Sequence, residues 1–370
     1  MENNRRLIAL AAGGTGGHLF PAQALAEELR RRDKKILLVT DKRGERFTEH
    51  FPCDEKVLIS AASSVVGGPI AAGLAGLSII GGTWTASREF RALNIQAAIG
   101  FGGYPSLPAM IAARMLRIPY GLHEQNGVLG RTNRVLSGGA KFIAHAFPVI
   151  EKVPVKSRRK LEEIGNPLRD AVNNFAHSPF NVQKLDGEVR VLVFGGSQGA
   201  TILSSIVPAA IAKIQPELRR RLRIVQQARE KEIEKVQSIY KAAGVAAEVA
   251  PFFKDLPGRI ASSHLIVSRA GASTVTEIAT IGRPSILVPL GIAMDDHQAG
   301  NARVLSDVGA SILLPESDFT IDRLSNELQK LFLDQAKLAK MASLTRDRVK
   351  LNAGARLAEL TCALVNEEKS

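Results

Sequence analysis

A chain of 370 residues with 45% hydrophobic and 23% charged residues has the composition of a soluble globular protein, and at roughly 100–200 residues per domain it is expected to hold two domains. Lys and Arg number 49 against 36 Asp and Glu, a formal +13, which favours an anionic partner such as nucleic acid, a phosphorylated metabolite or an anionic lipid surface. Aromatic residues are 5% and cysteines two, which supplies base-stacking platforms poorly, excludes a disulfide framework or Cys-rich zinc site, and fits a reducing compartment.

The first apolar stretch, Leu7–Ala12, is too short for a signal-peptide core, so secretion is not expected. It reads instead as a buried parallel strand, followed by the turn Gly13-Gly14-Thr15-Gly16-Gly17-His18. A helix is predicted from Pro21 to Arg32, with Ala24, Leu25 and Leu29 on one face. After a strand at Ile36–Thr40, the run Val57–Ser87 holds 31 residues without a formal charge and six glycines. Gly67-Gly68-Pro69 and Gly81-Gly82 are expected to interrupt it, which argues against a membrane-spanning helix. Two readings stay open for it: a buried Gly/Ala-rich helix, or a helix at a membrane interface. For the second, Ile70, Leu74, Leu77, Ile79, Ile80 and Trp84 supply apolar bulk, and Arg88 and Arg91 follow as a basic flank.

Further strands are predicted at Ala97–Gly100, Tyr120–His123 and Phe142–Ala144. The basic segment Lys152–Lys160 precedes the turn Gly165-Asn166-Pro167, where the domain boundary is placed, giving 1–166 and 167–345 with a C-terminal helix over 346–370. The opening pattern returns at an offset of 182 residues: strand Val189–Phe194, turn Gly195-Gly196-Ser197-Gln198-Gly199-Ala200, helix Ile202–Ile214. Strands at Leu222–Gln226, Leu265–Ser268, Ser285–Pro289 and Ala310–Leu314 follow, and the last segment, Leu338–Val365, reads as long and helical with no strand after it. None of the strands alternates strictly, as expected for parallel strands covered on both faces. The plan is α/β, with two Rossmann-like doubly wound domains. The charge divides unevenly, +9 over residues 1–166 and +4 over 167–370.

The glycine turns do not complete a dinucleotide fingerprint. Leu19 stands where a small residue is needed, and no acidic residue is recognised at the close of the second strand. Physically, such turns let backbone N–H groups face an anion at a helix N-terminus. A third turn, Gly100–Ser106, and the segment His123-Glu124-Gln125-Asn126-Gly127 close two other strands. His18, Tyr104, His123, Glu124 and Asn126 are therefore expected on one rim, beyond the carboxyl ends of the strands. In the second half, Ala272-Ser273-Thr274-Val275-Thr276-Glu277 opens a helix whose donors suit a phosphate, with Glu277 placed to accept from ribose hydroxyls. Asp295–Asn301 supplies amides and carboxylates suited to sugar hydroxyls. A metal site is not expected: the chain has no Asp-x-Asp pair, and His297 lacks a partner at ligand spacing.

Taken together, Gly13–Pro21, His123–Asn126, Gly165–Pro167, Gly195–Ala200 and Ala272–Glu277 closely resemble the MurG family, the N-acetylglucosaminyltransferases of bacterial peptidoglycan synthesis. The likeness runs in order from residue 7 to about 310. It implies a glycosyltransferase-B fold with a cleft between the domains and the C-terminal helix, 346–370, crossing back to pack on the first domain. The implied reaction is inverting transfer of GlcNAc from UDP-GlcNAc to the 4-hydroxyl of MurNAc in undecaprenyl-pyrophosphoryl-MurNAc-pentapeptide (lipid I), giving lipid II. No cofactor is implied. By position, Thr15, Gly16, Gly17, Asn126 and Arg169 would lie at the donor, Ser197 on its diphosphate, and the backbone of Phe253 at uracil. Ala272, Ser273, Thr274, Val275, Thr276 and Glu277 would hold phosphate and ribose, and Gln298 the GlcNAc hydroxyls. His18 would be the favoured base, with Tyr104 and Glu124 around the acceptor. Leu74, Leu77, Ile80, Trp84, Arg88 and Arg91 would meet an anionic membrane, at the cytoplasmic face of the inner membrane, with other cell-wall synthesis proteins as further partners and nucleic acid not among them.

Two departures stand out. Gln226-Gln227-Ala228-Arg229 replaces the family's His-Gln pair followed by Ser or Thr and Gly, and Pro105 and Leu107 stand where Val and Gly are usual. A UDP-GlcNAc 2-epimerase shares the fold and is the competing enzyme; a non-catalytic nucleotide-sugar-binding subunit is the competing non-enzyme.

Overall fold

The computed structural model describes residues 6–366 except 15, 46, 61–68, 183–186, 197–198, 292–296, 346–347 and 349, and only the backbone of 69–72. Thr15, Ser197, Asp295 and Asp296 thus lie outside the described residues, as does the side chain of Ile70. The chain forms two compact units, residues 1–170 with 350–370, and residues 171–349.

In the first unit the elements run β1 (Leu7–Ala11), α1 (Gly16–Arg31), β2 (Lys35–Thr40), α2 (Lys42–Glu45), β3 (Glu55–Leu58), α3 (Pro69–Ala92), β4 (Ile95–Gly100), α4 (Ser106–Met115), β5 (Tyr120–Glu124), α5 (Arg131–Leu136), β6 (Ile143–His145), a 3-10 helix (Val155–Lys160) and β7 (Leu161–Glu163). All pairings are parallel, in the order β3-β2-β1-β4-β5-β6-β7. One face packs Leu7, Ala9, Ala98 and Leu122 against Phe90 of α3, Met110 of α4 and Leu136 of α5. The other packs Ile8, Leu10 and Ile99 against Leu25 and Leu29 of α1.

After α6 (Asp170–Asn173), which begins at the unit boundary, the second unit runs β8 (Val189–Phe194), α7 (Thr201–Ala212), α8 (Pro216–Arg219), β9 (Leu222–Gln227), α9 (Glu230–Ala242), β10 (Ala246–Ala250), α10 (Leu256–Ser262), β11 (Leu265–Ser268), α11 (Ala272–Ile281), β12 (Ser285–Leu287), α12 (His297–Ser306), β13 (Ser311–Leu313), α13 (Ile321–Leu333) and α14 (Gln335–Thr345). Its parallel sheet has the order β10-β9-β8-β11-β12-β13. Both sheets therefore reverse direction beside their first strand, between β1 and β4 and between β8 and β11. The expected pair of doubly wound α/β units is what the chain forms.

Three expectations need correction. The uncharged run is not interrupted at Gly81-Gly82, because α3 continues through both glycines for 24 residues. A Cβ at Gly82 would lie 2.8 Å from the Ser60 carbonyl oxygen and 3.2 Å from Pro108, so that glycine serves close packing on α4 rather than a break. The helix predicted to start at Pro21 begins at Gly16, with Pro21 inside it. Finally, the helical segment Leu338–Val365 is not continuous: α14 belongs to the second unit, and α15 (Ala353–Asn366) to the first, where the C-terminal helix is expected to pack.

Leu357 and Ala358 of α15 are fully buried in the same cluster as Leu25 and Leu29 of α1, so the end of the chain completes a core begun at its start. Leu357→Ala is expected to destabilise the first unit by about 2–5 kcal/mol. Urea unfolding of the full chain, followed by a probe in that unit, measures it; an unchanged midpoint would show that α15 adds no packing energy.

Candidate active site

Ligands of open parallel sheets bind beyond the carboxyl ends of the strands where the strand order reverses. In the first unit that point receives the turn after β1, the turn after β4 and the segment closing β5. Gly13 leaves no room for a side chain: a Cβ would stand 2.7 Å from Pro105 Cγ and 2.8 Å from Asp41 Oδ1. Pro105, one of the departures from the family pattern, thus fills the space above the first turn, and Leu107 packs against the α3–α4 core. Gly14 adopts φ +80°, and its N–H donates to Asp41 Oδ1 at 2.8 Å. The same oxygen accepts from the Gly44 N–H at 2.9 Å, and Oδ2 accepts from Arg43 Nε at 3.1 Å.

Asp41 is the acidic residue closing the second strand that the sequence reading did not recognise. It directly follows β2, and an acidic residue at the close of that strand was the available signal. It does not await a ribose here; its carboxylate braces the glycine turn.

His18 lies on the first turn of α1. Its Nδ1 is 2.8 Å from the Phe101 carbonyl and 2.7 Å from the Gln125 carboxamide. Gly102 and Gly103, at φ +78° and +73°, let the imidazole rest on the β4 turn: a Cβ at Gly103 would stand 3.2 Å from His18 Cδ2. Ser106 Oγ lies 2.6 Å from the Ala11 carbonyl and 2.7 Å from that of Gly102, so a single hydroxyl ties the two turns together. Tyr104 stands half-buried in the second turn.

Glu124 differs in character from His18. Its Oε1 accepts from the backbone N–H and side-chain Nδ2 of Asn126, at 3.1 and 3.0 Å. Its Oε2 accepts from the Gly130 N–H and Asn133 Nδ2, both at 2.9 Å. A buried carboxylate with four donors organises residues 124–133 and has little lone-pair capacity left for a substrate proton. Asn126 is drawn into the same network. Asn133, not singled out by the sequence, is a core member of it. Arg169 falls in the first unit, with its guanidinium 3.8 Å from the ring centroid of Phe20. A Cβ at Gly16 would meet that ring at 2.9 Å, so Arg169 is carried beside the glycine turn. The neighbouring Asp170 is anchored to α1, its N–H donating to Glu27 at 2.8 Å and its carboxylate accepting from Arg31 at 2.8 Å.

The second unit repeats the device with a neutral group. The Gly195 N–H donates to Gln227 Oε1 at 3.0 Å, and Gln227 Nε2 donates to the Pro251 carbonyl at 3.1 Å. Gln226 is fully buried and its Oε1 accepts from the Tyr240 hydroxyl. The Gln226-Gln227 departure is therefore part of the packing of β9. At α11 the N-cap is Gly271, with no side chain capping the helix, and Ser273 Oγ is buried without a hydrogen-bond partner. Thr276 and Glu277 point inward, the latter 4% exposed; Thr276 Oγ1 donates to the Ala272 carbonyl at 2.9 Å. Phe253 is buried beneath Arg259, whose guanidinium is 4.3 Å from its ring. Gln298 Oε1 accepts from the Leu290 N–H at 3.1 Å.

His123, expected on the rim, is fully buried with its ring 5.6 Å from that of Phe101. Burial, with smaller repulsion from His145 and His18, pushes its pKa down to about 3 from the ordinary 6.5. Between those values the unfolded chain binds a proton that the folded chain does not, so stability is lost as pH falls from 6.5 toward 3, by up to about 1.4 kcal/mol per pH unit. His123→Phe is expected to flatten this slope, read as urea midpoints at pH 7.5 and 5.5. Parallel slopes in wild type and variant would assign the acid sensitivity elsewhere.

Known proteins bear on this geometry. Residues 8–145 match the glycosyltransferase family 28 N-terminal domain, and residues 190–358 its C-terminal domain. Over 355 residues the chain is 47% identical to the UDP-N-acetylglucosamine–N-acetylmuramyl-(pentapeptide) pyrophosphoryl-undecaprenol N-acetylglucosamine transferase of a Methylorubrum extorquens strain, covering 96% of both chains. It is 44% identical over 356 residues to the protein of that name from Phenylobacterium zucineum, covering 96% of this chain and 98% of that one. Among solved structures, MurG of Acinetobacter baumannii superposes with a TM-score of 0.76 at 30% identity, over 97% of this chain and 99% of that one. A UDP-N-acetylglucosamine 2-epimerase, at 12% identity and a TM-score of 0.66 over 96% and 95% of the two chains, shares the fold alone.

Proposed function

The chain belongs to glycosyltransferase family 28, and from that premise we propose that it moves N-acetylglucosamine from UDP-N-acetylglucosamine to the 4-hydroxyl of MurNAc in N-acetylmuramyl-(pentapeptide) pyrophosphoryl-undecaprenol, with inversion. It is a UDP-sugar-dependent glycosyltransferase of peptidoglycan synthesis with the glycosyltransferase-B fold. The observation that carries the finer reading is the division of chemistry between the two points of strand-order reversal. The first holds an imidazole pinned by its Nδ1; the second holds an uncapped helix N-terminus.

In that reading His18 takes the proton of the acceptor hydroxyl as the sugar transfers, and Tyr104 lies beside the acceptor. Glu124 positions residues 124–133 rather than exchanging protons. The first-turn N–H groups of α11 and the Ser273 hydroxyl meet the charge of the departing UDP, aided by the helix dipole. Ser197 and Arg169 are further diphosphate groups, and Thr15, Gly16, Gly17 and Asn126 further donor contacts. Glu277 faces the ribose, the backbone of Phe253 the uracil, and Gln298 the sugar hydroxyls.

The proposed acceptor is a lipid, and α3 suits a lipid surface. Leu74, Leu77, Ile80 and Trp84 are 62–67% exposed, spaced to share one face, with exposed Arg88 and Arg91 continuing it. Arg88 is 5.6 Å from the Trp84 ring. Among the described residues no helix is long and apolar enough to cross a membrane. From the exposed apolar stripe and its basic flank, the enzyme is read as peripheral at the cytoplasmic face of the inner membrane, through this face of the first unit.

His18→Ala is expected to lower kcat about 100-fold or more, while KM for UDP-N-acetylglucosamine changes far less. UDP release should require the lipid acceptor and survive EDTA. An undiminished rate would overturn the base assignment, acceptor-independent turnover would favour an epimerase, and magnesium-restored activity would overturn metal-free departure of UDP. Separately, Arg88→Gln with Arg91→Gln should weaken sedimentation with phosphatidylglycerol vesicles while leaving binding of UDP-N-acetylglucosamine intact. Undiminished sedimentation would remove α3 from the membrane contact.

A further inference from the structure

The His18 imidazole has a conflict at one nitrogen that assigns a role to its neighbour. Nδ1 lies 2.8 Å from the Phe101 carbonyl oxygen and 2.7 Å from the Gln125 carboxamide. The carbonyl can only accept, so Nδ1 must carry the hydrogen. The end of the carboxamide facing it is Nε2, also a donor, while Gln125 Oε1 is buried without a hydrogen-bond partner. Two donors do not face each other at 2.7 Å. The two ends of a carboxamide are nearly identical in shape, and the surrounding network decides which is which. Turned over, Gln125 presents Oε1 to the Nδ1–H and shares it with Phe101. The exchange removes a donor–donor contact, and one buried amide end lacks a partner in either orientation.

We propose that Gln125 is a positioning residue for His18: with the Phe101 carbonyl it holds the imidazole in the Nδ1–H tautomer, so that Nε2 is the nitrogen that accepts a proton. The proposal rests on His18 being the base, and it adds which nitrogen acts and what keeps it so. Which ring nitrogen is protonated is set by the hydrogen bond the other makes, and here two oxygens make it. Gln125 is 4% exposed, so water competes little for that bond. Gly102 and Gly103 support the ring from the β4 turn, 3.4 Å from Cε1 and 3.2 Å from Cδ2 to their would-be Cβ positions. The ionisable group coupled to His18 from β5 is His123, which burial keeps neutral. The other charge on that strand, Glu124, is turned to Asn126, Gly130 and Asn133.

The test is the ¹⁵N imidazole spectrum of the full chain without substrate, with His18→Ala identifying the resonances. Wild type is expected to show protonated Nδ1 and unprotonated Nε2 at neutral pH. Gln125→Met, apolar and of similar length, should admit a second population with Nε2–H and lower the His18 titration midpoint. Gln125→Glu places a carboxylate at the Nδ1–H and should raise that midpoint by about one unit or more. In turnover, Gln125→Met should reduce kcat about tenfold, a part of the ~100- to 10,000-fold of a general base, with KM for UDP-N-acetylglucosamine little changed and Gln125→Glu less impaired. An Nε2–H tautomer in wild type, or identical midpoints in all three proteins, overturns the proposal. Should the spectra follow expectation while His18→Ala turns over normally, the base assignment fails and the tautomer control stands.

Discussion

Everything at the first unit's rim depends on one constraint of parallel sheets. Where strand order reverses, the connections leaving two adjacent strands go to opposite faces, and nothing of the sheet itself fills the gap above their carboxyl ends. Between β1 and β4 that gap is closed by backbone and small groups: Gly13 beneath Pro105, Gly102 and Gly103 beneath His18, and the Ser106 hydroxyl between two carbonyls. A Cβ at Gly13 would strike Pro105 and Asp41 and one at Gly103 would crowd the His18 ring, while the positive φ of Gly102 and Gly103 would strain any side chain there, so the imidazole rests on two glycines. The position of His18 is a consequence of packing before it is a matter of chemistry.

The same reversal in the second unit is closed differently, and the difference sorts charge. In both units the side chain closing the second strand captures a glycine-turn amide, Asp41 for Gly14 and Gln227 for Gly195. Asp41 brings a negative charge to its turn, matched by the half-exposed Arg43. Two like charges about 4 Å apart at a protein surface repel by several kcal/mol, so an anion approaching the Gly14 amide meets a carboxylate already bound there. Gln227 brings no charge, and α11 nearby offers uncapped N–H groups. That electrostatic contrast supports the proposed assignment, in which α11 of the second unit meets most of the diphosphate charge, Arg169 is the first unit's cationic contribution to it, and the neutral acceptor hydroxyl lies with the first unit.

The buried strands were legible because their pattern is simple: β1, β8 and β11 are apolar at nearly every position, as strands covered on both faces must be. The strands that escaped are all edges. Glu55–Leu58, Leu161–Glu163 and Ala246–Ala250 are half-exposed and carry charge or alanine, so tertiary pairing rather than propensity makes them strands. Gly81-Gly82 misled because glycine reads as an interruption from sequence, and only the Ser60 carbonyl and Pro108 across from Gly82 reveal its purpose. His18, Tyr104 and Glu124 were readable as a rim from their places after strands. That Glu124 is saturated and that Gln125 touches His18 were not, since side-chain direction at a strand's end is settled by what packs there.

The net charge acquires a location from the fold. Residues 131–160 hold eight Lys or Arg and one acidic residue, and they span α5 and the 3-10 helix, joined by Ser157 Oγ donating to Ser137 Oγ at 2.9 Å and by Lys160 Nζ on the Ser137 and Gly138 carbonyls at 3.1 and 2.8 Å. Val135 of α5 and Val155 of the 3-10 helix stand 72% and 77% exposed among these cations. Leu136 and Val153, their buried neighbours, belong to the same core cluster as Ala86 and Phe90 of α3, so this basic ground and the apolar stripe of α3 are carried on one face of one sheet. The two contribute differently to the proposed membrane contact. Charge acts within about a Debye length, ~8 Å at physiological salt, and draws the unit toward an anionic surface; burial of Leu74, Leu77, Ile80 and Trp84 acts only on contact and holds it there. A unit with charge alone would bind reversibly and lose its grip in salt, while the stripe alone would lack the long-range attraction. The +13 of the whole chain is thus a poor measure of its function; what matters is that its excess lies where the apolar residues are left uncovered.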